Sequence, residues 1–349
     1  MRLLPSSALR TAVVLTAALP VALAVLSSSG AAAAAGSPGT SGFTITDPRI
    51  KESSGLAASR IHPGVYWTHN DSDDGPYLYA VDSATGKTVA RVTMTGTGRP
   101  RDVEAISLGP DGQLYVGDIG DNRDGTWDHV WIYRLPEPKE LRDVTVKAEQ
   151  FTVKYADGPR NAEALMVHPV TGRVYIASKS EDKGGLYEGP EQLSASGTNT
   201  FRRIADLPWV TDGAFSPDGG HLALRGYLFA KTYPWKDGRP DGPGEAVGAP
   251  WQGQAESVTY TADGSTLMFG AEGAESRVVA VPVKAAAKSS ATPGTPAPGG
   301  GPAAPGSTGS ASGADAADEG SFTKGALVLA GATVLVVGAK RLFRRTPKP

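Results

Sequence analysis

The 349-residue sequence predicts an all-β fold built from repeats, and three observations carry that prediction. A phrase made of a polar residue, a small residue and an apolar pair returns five times, as Ser54-Gly55-Leu56-Ala57, Glu104-Ala105-Ile106-Ser107, Glu163-Ala164-Leu165-Met166, Gly213-Ala214-Phe215-Ser216 and Glu256-Ser257-Val258-Thr259. A glycine turn follows each copy, at Gly64, Gly112, Gly172, Gly219 and Gly264. Apolar residues alternate with a period of two or form short β-rich runs, and prolines and glycines interrupt before a helical stripe can build. From phrase to phrase the steps are 50, 59, 50 and 43 residues, the repeat length of β-propeller blades. Four strands per unit and five units make a five-bladed β-propeller.

In chain order, residues 1–35 read as a secretory signal peptide: Arg2 and Arg10 precede an apolar run from Thr11 to Val25, and Ala31 to Ala35 suits cleavage after small residues. The propeller domain spans 43–284. Its second unit is the most legible, with strands over Val103 to Leu108, Leu114 to Gly117, Val130 to Leu135 and Phe151 to Tyr155. The last unit is one strand short, and Phe43 to Thr46 is expected to complete it, so that the chain ends join and no sheet edge stays open. The 59-residue step leaves room for a degenerate extra blade, which makes six blades the structural alternative.

Residues 285–321 are dominated by Ala, Pro, Gly, Ser and Thr and cannot bury enough apolar surface to fold. They read as a disordered stalk, reaching about 115 Å if its prolines keep it extended. Residues 322–343 read as a transmembrane helix whose core is the uncharged run Gly325 to Ala339, with Lys324, Lys340 and Arg341 snorkelling toward the headgroups. Arg344, Arg345 and Lys348 in the basic tail, 344–349, set that end in the cytoplasm by the positive-inside rule. The expected location is the cell membrane, crossed once, with the propeller outside.

Setting aside five positive charges from Lys340 onward and two in the signal peptide, the formal net charge of −2 becomes −9 for the rest. An acidic exterior argues against nucleic acid as a partner. The sequence has no cysteine, which excludes disulfides, thiol nucleophiles and thiolate zinc sites.

Propeller inner strands line a central channel, so the phrase acids Glu104, Glu163 and Glu256, with Asp212 one residue early in the fourth unit, are expected to converge there. Converging carboxylates repel unless a cation neutralises them. Two arrangements meet that need: an internal lattice with Arg101 and Arg160 as counterions beside Asp102, or a hard cation such as Ca²⁺ held by Glu104, Glu163 and Glu256. A second acidic set lies in two loops, His69-Asn70-Asp71-Ser72-Asp73-Asp74-Gly75 and Asp118-Ile119-Gly120-Asp121-Asn122-Arg123-Asp124-Gly125. Asp71, Asp73, Asp118 and Asp121 either hold a metal there or serve as turn formers bonding the backbone two residues on. His69 reads first as a buried, hydrogen-bonded core histidine, with a general base as its other reading. Gly-x-Ser-x-Gly, His-Glu-x-x-His and phosphate-binding glycine loops are absent.

On these residues the chain resembles a family of exported bacterial β-propellers of the WD40-like and phytase-like kind. The resemblance covers about residues 43–284 and rests on Glu52-Ser53-Ser54-Gly55-Leu56-Ala57, His69-Asn70-Asp71-Ser72, Asp102-Val103-Glu104-Ala105-Ile106, Gly117-Asp118-Ile119-Gly120-Asp121-Asn122, Glu163-Ala164-Leu165 and Ser216-Pro217-Asp218-Gly219. The Gly-His and Trp-Asp pairs of true WD40 units are missing, so that likeness concerns shape. The phytase-like resemblance implies Ca²⁺ and acidic loops that handle phosphate, although near those loops only Arg123 and Lys179 offer positive charge. The expected function is a binding or scaffolding module for a protein, glycan or small-molecule ligand at the cell envelope. The alternative is a Ca²⁺-dependent hydrolase of phosphate esters, lactones or other esters.

Overall fold

The computed structural model describes residues 37–123, 125–180 and 184–283, and these are all-β with no helix. The signal peptide, stalk, transmembrane and tail assignments lie outside the described residues. No helix among the described residues is long and apolar enough to cross a membrane.

The chain enters through β1 (Phe43–Thr44) and then builds one antiparallel unit per phrase. The first unit is β2 (Ser53–Ala58), β3 (Val65–Asn70), β4 (Tyr77–Asp82) and β5 (Lys87–Thr95). The second contains β6 (Val103–Leu108), β7 (Gln113–Asp118), β8 (Val130–Pro136), then β9 (Val144–Lys147) and β10 (Glu149–Tyr155). β11 (Ala162–Val167), β12 (Val174–Ser178), β13 (Gly185–Glu188) and β14 (Thr198–Asp206) make the third. The fourth has β15 (Asp212–Phe215), β16 (His221–Arg225) and β17 (Ala230–Lys236), with the short β18 (Arg239–Pro240) and β19 (Glu245–Ala246) outside them. The last is β20 (Ser257–Tyr260), β21 (Thr266–Gly270) and β22 (Arg277–Pro282), completed by β1, which pairs Phe43 with Val278 as the sequence led one to expect.

The long second step is spent on β9, which leaves its own unit and adds in parallel to β5, pairing Val144 with Val92. Parallel pairing of β10 with β14 similarly joins the second and third units into one eight-stranded sheet. All five turn glycines have φ between 69° and 81°, the left-handed region that a side chain disfavours, which is why the turn keeps glycine in every repeat.

The five phrase strands β2, β6, β11, β15 and β20 pack side by side in that order, and β20 returns to β2. Five apolar clusters fill the spaces between successive units. One joins Trp67 and Val92 to Ile106 and Val116, and the cluster that closes the circle joins Phe43, Met268 and Val278 to Leu56 and Tyr66. Curled sheets arranged in this way are consistent with a β-propeller. Each unit buries its faces only against its neighbours, so the last-to-first cluster ties the two ends of the domain together.

Candidate functional site

Local backbone geometry decides which side chains reach the centre. Strict alternation would put each phrase acid on the same side as the apolar residue two positions on. In the first three units the register shifts at this point, between Ser53 and Leu56, Val103 and Ala105, and Ala162 and Ala164. These bulges bracket Ser54, Glu104 and Glu163 and re-aim them. Ser54 Oγ then donates to Glu104 Oε2 at 2.9 Å across the joint between the first two units.

A second recurring device supplies the rest of the site. Just after the second strand of four units, a backbone N–H bonds the carbonyl of the residue two positions before the phrase: Asp71 to Glu52, Gly120 to Asp102, Lys179 to Asn161 and Glu272 to Gln254. These equivalent slots hold an acid, a glycine, a lysine and an acid. Gly120 is there for space: a Cβ on it would come within 2.6 Å of Asp102 Oδ2 and 2.7 Å of Glu104 Oε1. The room left by that glycine lets carboxylate oxygens of Asp71, Asp102 and Glu104 lie within 4.8 Å of one another.

Electrostatics at this end are dominated by burial and like charge. Burial first, then Glu163, Asp102 and Asp71, hold the Glu104 carboxyl well above the usual range. Asp71 is pushed up to about 8 by burial, by its hydrogen bond and charge contact with Glu52, and by Glu272 and Asp102; its Oδ1 is buried without a hydrogen-bond partner. Glu163 is pushed up to about 8 by burial, against the opposing pull of Lys179, with Glu256 and Asp102 raising it further. Lys179 Nζ lies 2.5 Å from Glu163 Oε1 and 3.2 Å from the Tyr227 hydroxyl, which donates to Glu256 Oε1 at 2.8 Å. Burial alone would lower the Lys179 ammonium, but Glu163, Glu256, Tyr227 and Glu104 outweigh it and keep it protonated.

Several sequence expectations are corrected. Arg101 and Arg160 are not the counterions of the central acids. The Arg101 guanidinium lies 4.0 and 3.9 Å from the Trp127 and Trp131 ring centres and donates to the His129 carbonyl. Arg160 pairs with Asp157 at 2.5 Å and lies over Tyr187. Lys179 takes the role expected of them. Glu163 and Glu256 belong with Lys179 and Tyr227, while Asp102 and Asp71 join Glu104 in the three-carboxylate group.

Asp118 and Asp121 are turn and joint formers. Asp118 accepts from the Arg101 and Asp102 amides and from the Tyr133 hydroxyl, and Asp121 accepts from the Trp127 amide. Asp73 is exposed and in the left-handed region, φ 54°, as a turn residue. Asp212 accepts from the Val258 amide at 2.7 Å and joins the fourth and fifth units; burial raises its carboxyl well above the usual range.

His69 is only 1% exposed, with Nδ1 3.2 Å from the Asn70 carbonyl and Nε2 packed where a Cβ on Gly55 would stand, 2.7 Å away. Burial lowers it to about 4, so it is neutral near pH 7 and enclosed between strands. That environment is a core histidine's.

Glu52 and Glu272 were missed as site residues, and Lys179 was noticed only as a counter-charge for phosphate. The signal that finds Glu272 and Lys179 is the equivalence of the slots after each second strand.

No family model matches the chain, and no curated protein matches it. Among solved structures of β-propeller proteins similar to it is the PQQ-bound aldose sugar dehydrogenase of Streptomyces coelicolor, at 13% identity over 71% of this chain and 100% of that one, with a TM-score of 0.43. A gluconolactonase of Xanthomonas campestris is 15% identical over 69% of this chain and 79% of its own, TM-score 0.45. The WD40 repeats of RRP9 are 9% identical over 71% and 99%, TM-score 0.40. Likeness this distant carries no argument about activity.

Proposed function

We propose that this chain is a five-bladed β-propeller, displayed outside the cell on the 285–321 stalk and anchored by the 322–343 helix, whose acidic end binds a hard divalent cation and uses it to capture a ligand at the cell envelope. The observation that carries the reading is the convergence of Asp71, Asp102 and Glu104 within 4.8 Å, with Asp71 Oδ1 buried and unpartnered. Oxygen-only ligands of this charge suit Ca²⁺, which takes six to eight oxygens and accepts irregular geometry. Backbone carbonyls, waters or the ligand itself would complete the shell. A cation also removes the reason Asp71 and Glu104 hold protons, since it stabilises their charged forms.

The test is calorimetric titration of the full chain with Ca²⁺, Mg²⁺ and Mn²⁺. Saturable binding is expected in the wild type and its loss in Glu104→Gln; heats that are the same in both would sink the reading.

Ca²⁺-dependent hydrolysis of an ester is the second reading, and one observation favours it. Glu163, pushed up to about 8 and joined to Lys179, holds a proton near neutral pH, as a general acid must. A screen of phosphate esters and lactones in Ca²⁺ is expected to show turnover that Glu163→Gln abolishes while Ca²⁺ binding persists. Absence of turnover across both classes would leave the binding reading alone.

A further inference from the structure

The carboxylates of the third and fifth units are left half satisfied, and the unsatisfied half has a chemistry of its own. Glu163 and Glu256 are 2% and 5% exposed. Each spends Oε1 on the chain Glu163–Lys179–Tyr227–Glu256, and each keeps Oε2 buried with no hydrogen-bond partner among the described residues. Two such atoms together are costly unless something donates to them. They are near enough for the Glu256 charge to act on Glu163. Aromatic rings stand beside them: Trp209 and Tyr227 meet edge to face at 5.0 Å, and the Lys179 ammonium lies 5.7 and 5.0 Å from their ring centres. Both aromatic residues are half-buried.

We propose that Glu163 Oε2, Glu256 Oε2, Lys179 and the Trp209–Tyr227 pair form a subsite for a neutral polyhydroxyl ligand, a sugar or cyclitol ring whose hydroxyls bond the two glutamates and whose C–H face lies on the aromatic pair. Three features select hydroxyls over other donors. A hydroxyl both donates and accepts, so it satisfies a carboxylate or a carboxyl alike, whereas an ammonium satisfies only the charged form. Lys179 already supplies a positive charge 2.5 Å from Glu163 and would repel a second one. A phosphate or carboxylate ligand would meet two glutamates for one lysine. The subsite deepens the cation-dependent binding reading by naming its ligand class. It uses none of Asp71, Asp102 and Glu104, so the two ideas fail separately.

Full chain purified in mild detergent is to be titrated with methyl glucoside and myo-inositol as neutral polyols, and with tetramethylammonium and putrescine as amine probes. Binding is read by saturation-transfer NMR and calorimetry, with the Ca²⁺ thermal shift recorded on each sample. Saturable polyol binding with a Kd of about 1 mM is expected, together with no amine binding. Trp209→Ala should weaken polyol binding by about tenfold and leave the Ca²⁺ shift intact. Tyr227→Phe, which keeps the ring and loses the bond to Glu256, should weaken it several-fold and guards against a folding defect in the first variant. Amine binding in place of polyol binding, undiminished polyol binding in both variants, or no binding of either probe class would overturn the subsite, the last meaning that water alone serves the two oxygens. Polyol binding without a Ca²⁺ shift would sustain the subsite and remove the cation reading; a Ca²⁺ shift without polyol binding would do the reverse.

Discussion

The two ends of the inner strands β2, β6, β11, β15 and β20 share a repeat and differ in what they bury. At their starts lie Glu104, Glu163, Asp212 and Glu256, with Asp71 Oδ1, Glu163 Oε2 and Glu256 Oε2 unpartnered. At their far ends the same strands run into small or apolar residues such as Ala58, Leu108, Val167 and Phe215, around a cavity of about 100 Å³. Polar groups there find partners across a joint or in their own turns. Ser107 Oγ accepts from the Val167 amide, and Ser216 and Thr261 donate to Asp218 and Asp263 in their own turns. A fold that can satisfy one end with short turn residues has no structural need to crowd acids at the other. The contrast marks the acidic end as the place where buried carboxylates cost the fold stability.

The largest expected effect tests what holds the acidic end in shape. Arg225 is buried and donates to the Ser257 and Gly270 carbonyls and to Gln252, stitching the fourth unit to the fifth. Arg225→Ala should cost about 3 kcal/mol in urea unfolding, because charged hydrogen bonds are lost and buried carbonyls are stranded. A cost below ~1 kcal/mol would mean that the joint is held by packing alone.

The next effect is a pH dependence whose sign separates the two ends. Asp71 and Glu163, raised from 3.8 and 4.5 to about 8, bind more protons folded than unfolded across that window. Linkage then makes metal-free stability highest near the low-pH side of the window and progressively lower as pH rises toward 8. Ca²⁺ should flatten this slope, since bound cation replaces the protons. Urea midpoints at pH 5, 6, 7 and 8 with and without chelator read it directly, and a metal-free curve that rises with pH would contradict the assignment.

Two substitutions complete the comparison. Glu104→Gln replaces a carboxyl that burial and its acidic neighbours hold well above the usual range, and should stabilise the chelated protein by about 1 kcal/mol, the scale of one unit of pKa shift, while abolishing any gain from Ca²⁺. Ser107→Ala at the opposite end should cost about 1 kcal/mol, the value of one hydrogen bond, and leave the Ca²⁺ response unchanged. Equal Ca²⁺ responses in the two variants would erase the distinction between the ends.

Much of the fold was legible because its signals are local. A phrase strand followed by a glycine turn specifies a hairpin without reference to distant residues, and β6 runs from Val103 to Leu108, as read from the sequence. The strand β9 was not legible, since its partner β5 belongs to the preceding unit and Val144–Lys147 has no turn signal assigning it there. The acids of the site were legible as repeated phrase positions, but their counterion was not. Arg101 and Arg160 have the right charge and sequence placement, yet the Trp127 and Trp131 rings take Arg101, Asp157 takes Arg160 from within its own turn, and Lys179 arrives through the slot after β12. The enclosure of His69 depends on the close approach of Gly55 to β6, a contact between units that no local pattern announces.

The most direct test of the account is the Tm of the full chain at pH 7.5, first in chelator and then in Ca²⁺ at 100 times its Kd. The account predicts a gain of ~2.7 kcal/mol, read as a rise of roughly 5 to 11 °C for a domain of this size, and its absence in Glu104→Gln. An unchanged Tm with Ca²⁺, Mg²⁺ and Mn²⁺ would contradict it and leave Asp71 and Glu104 as carboxyls kept neutral by their own protons.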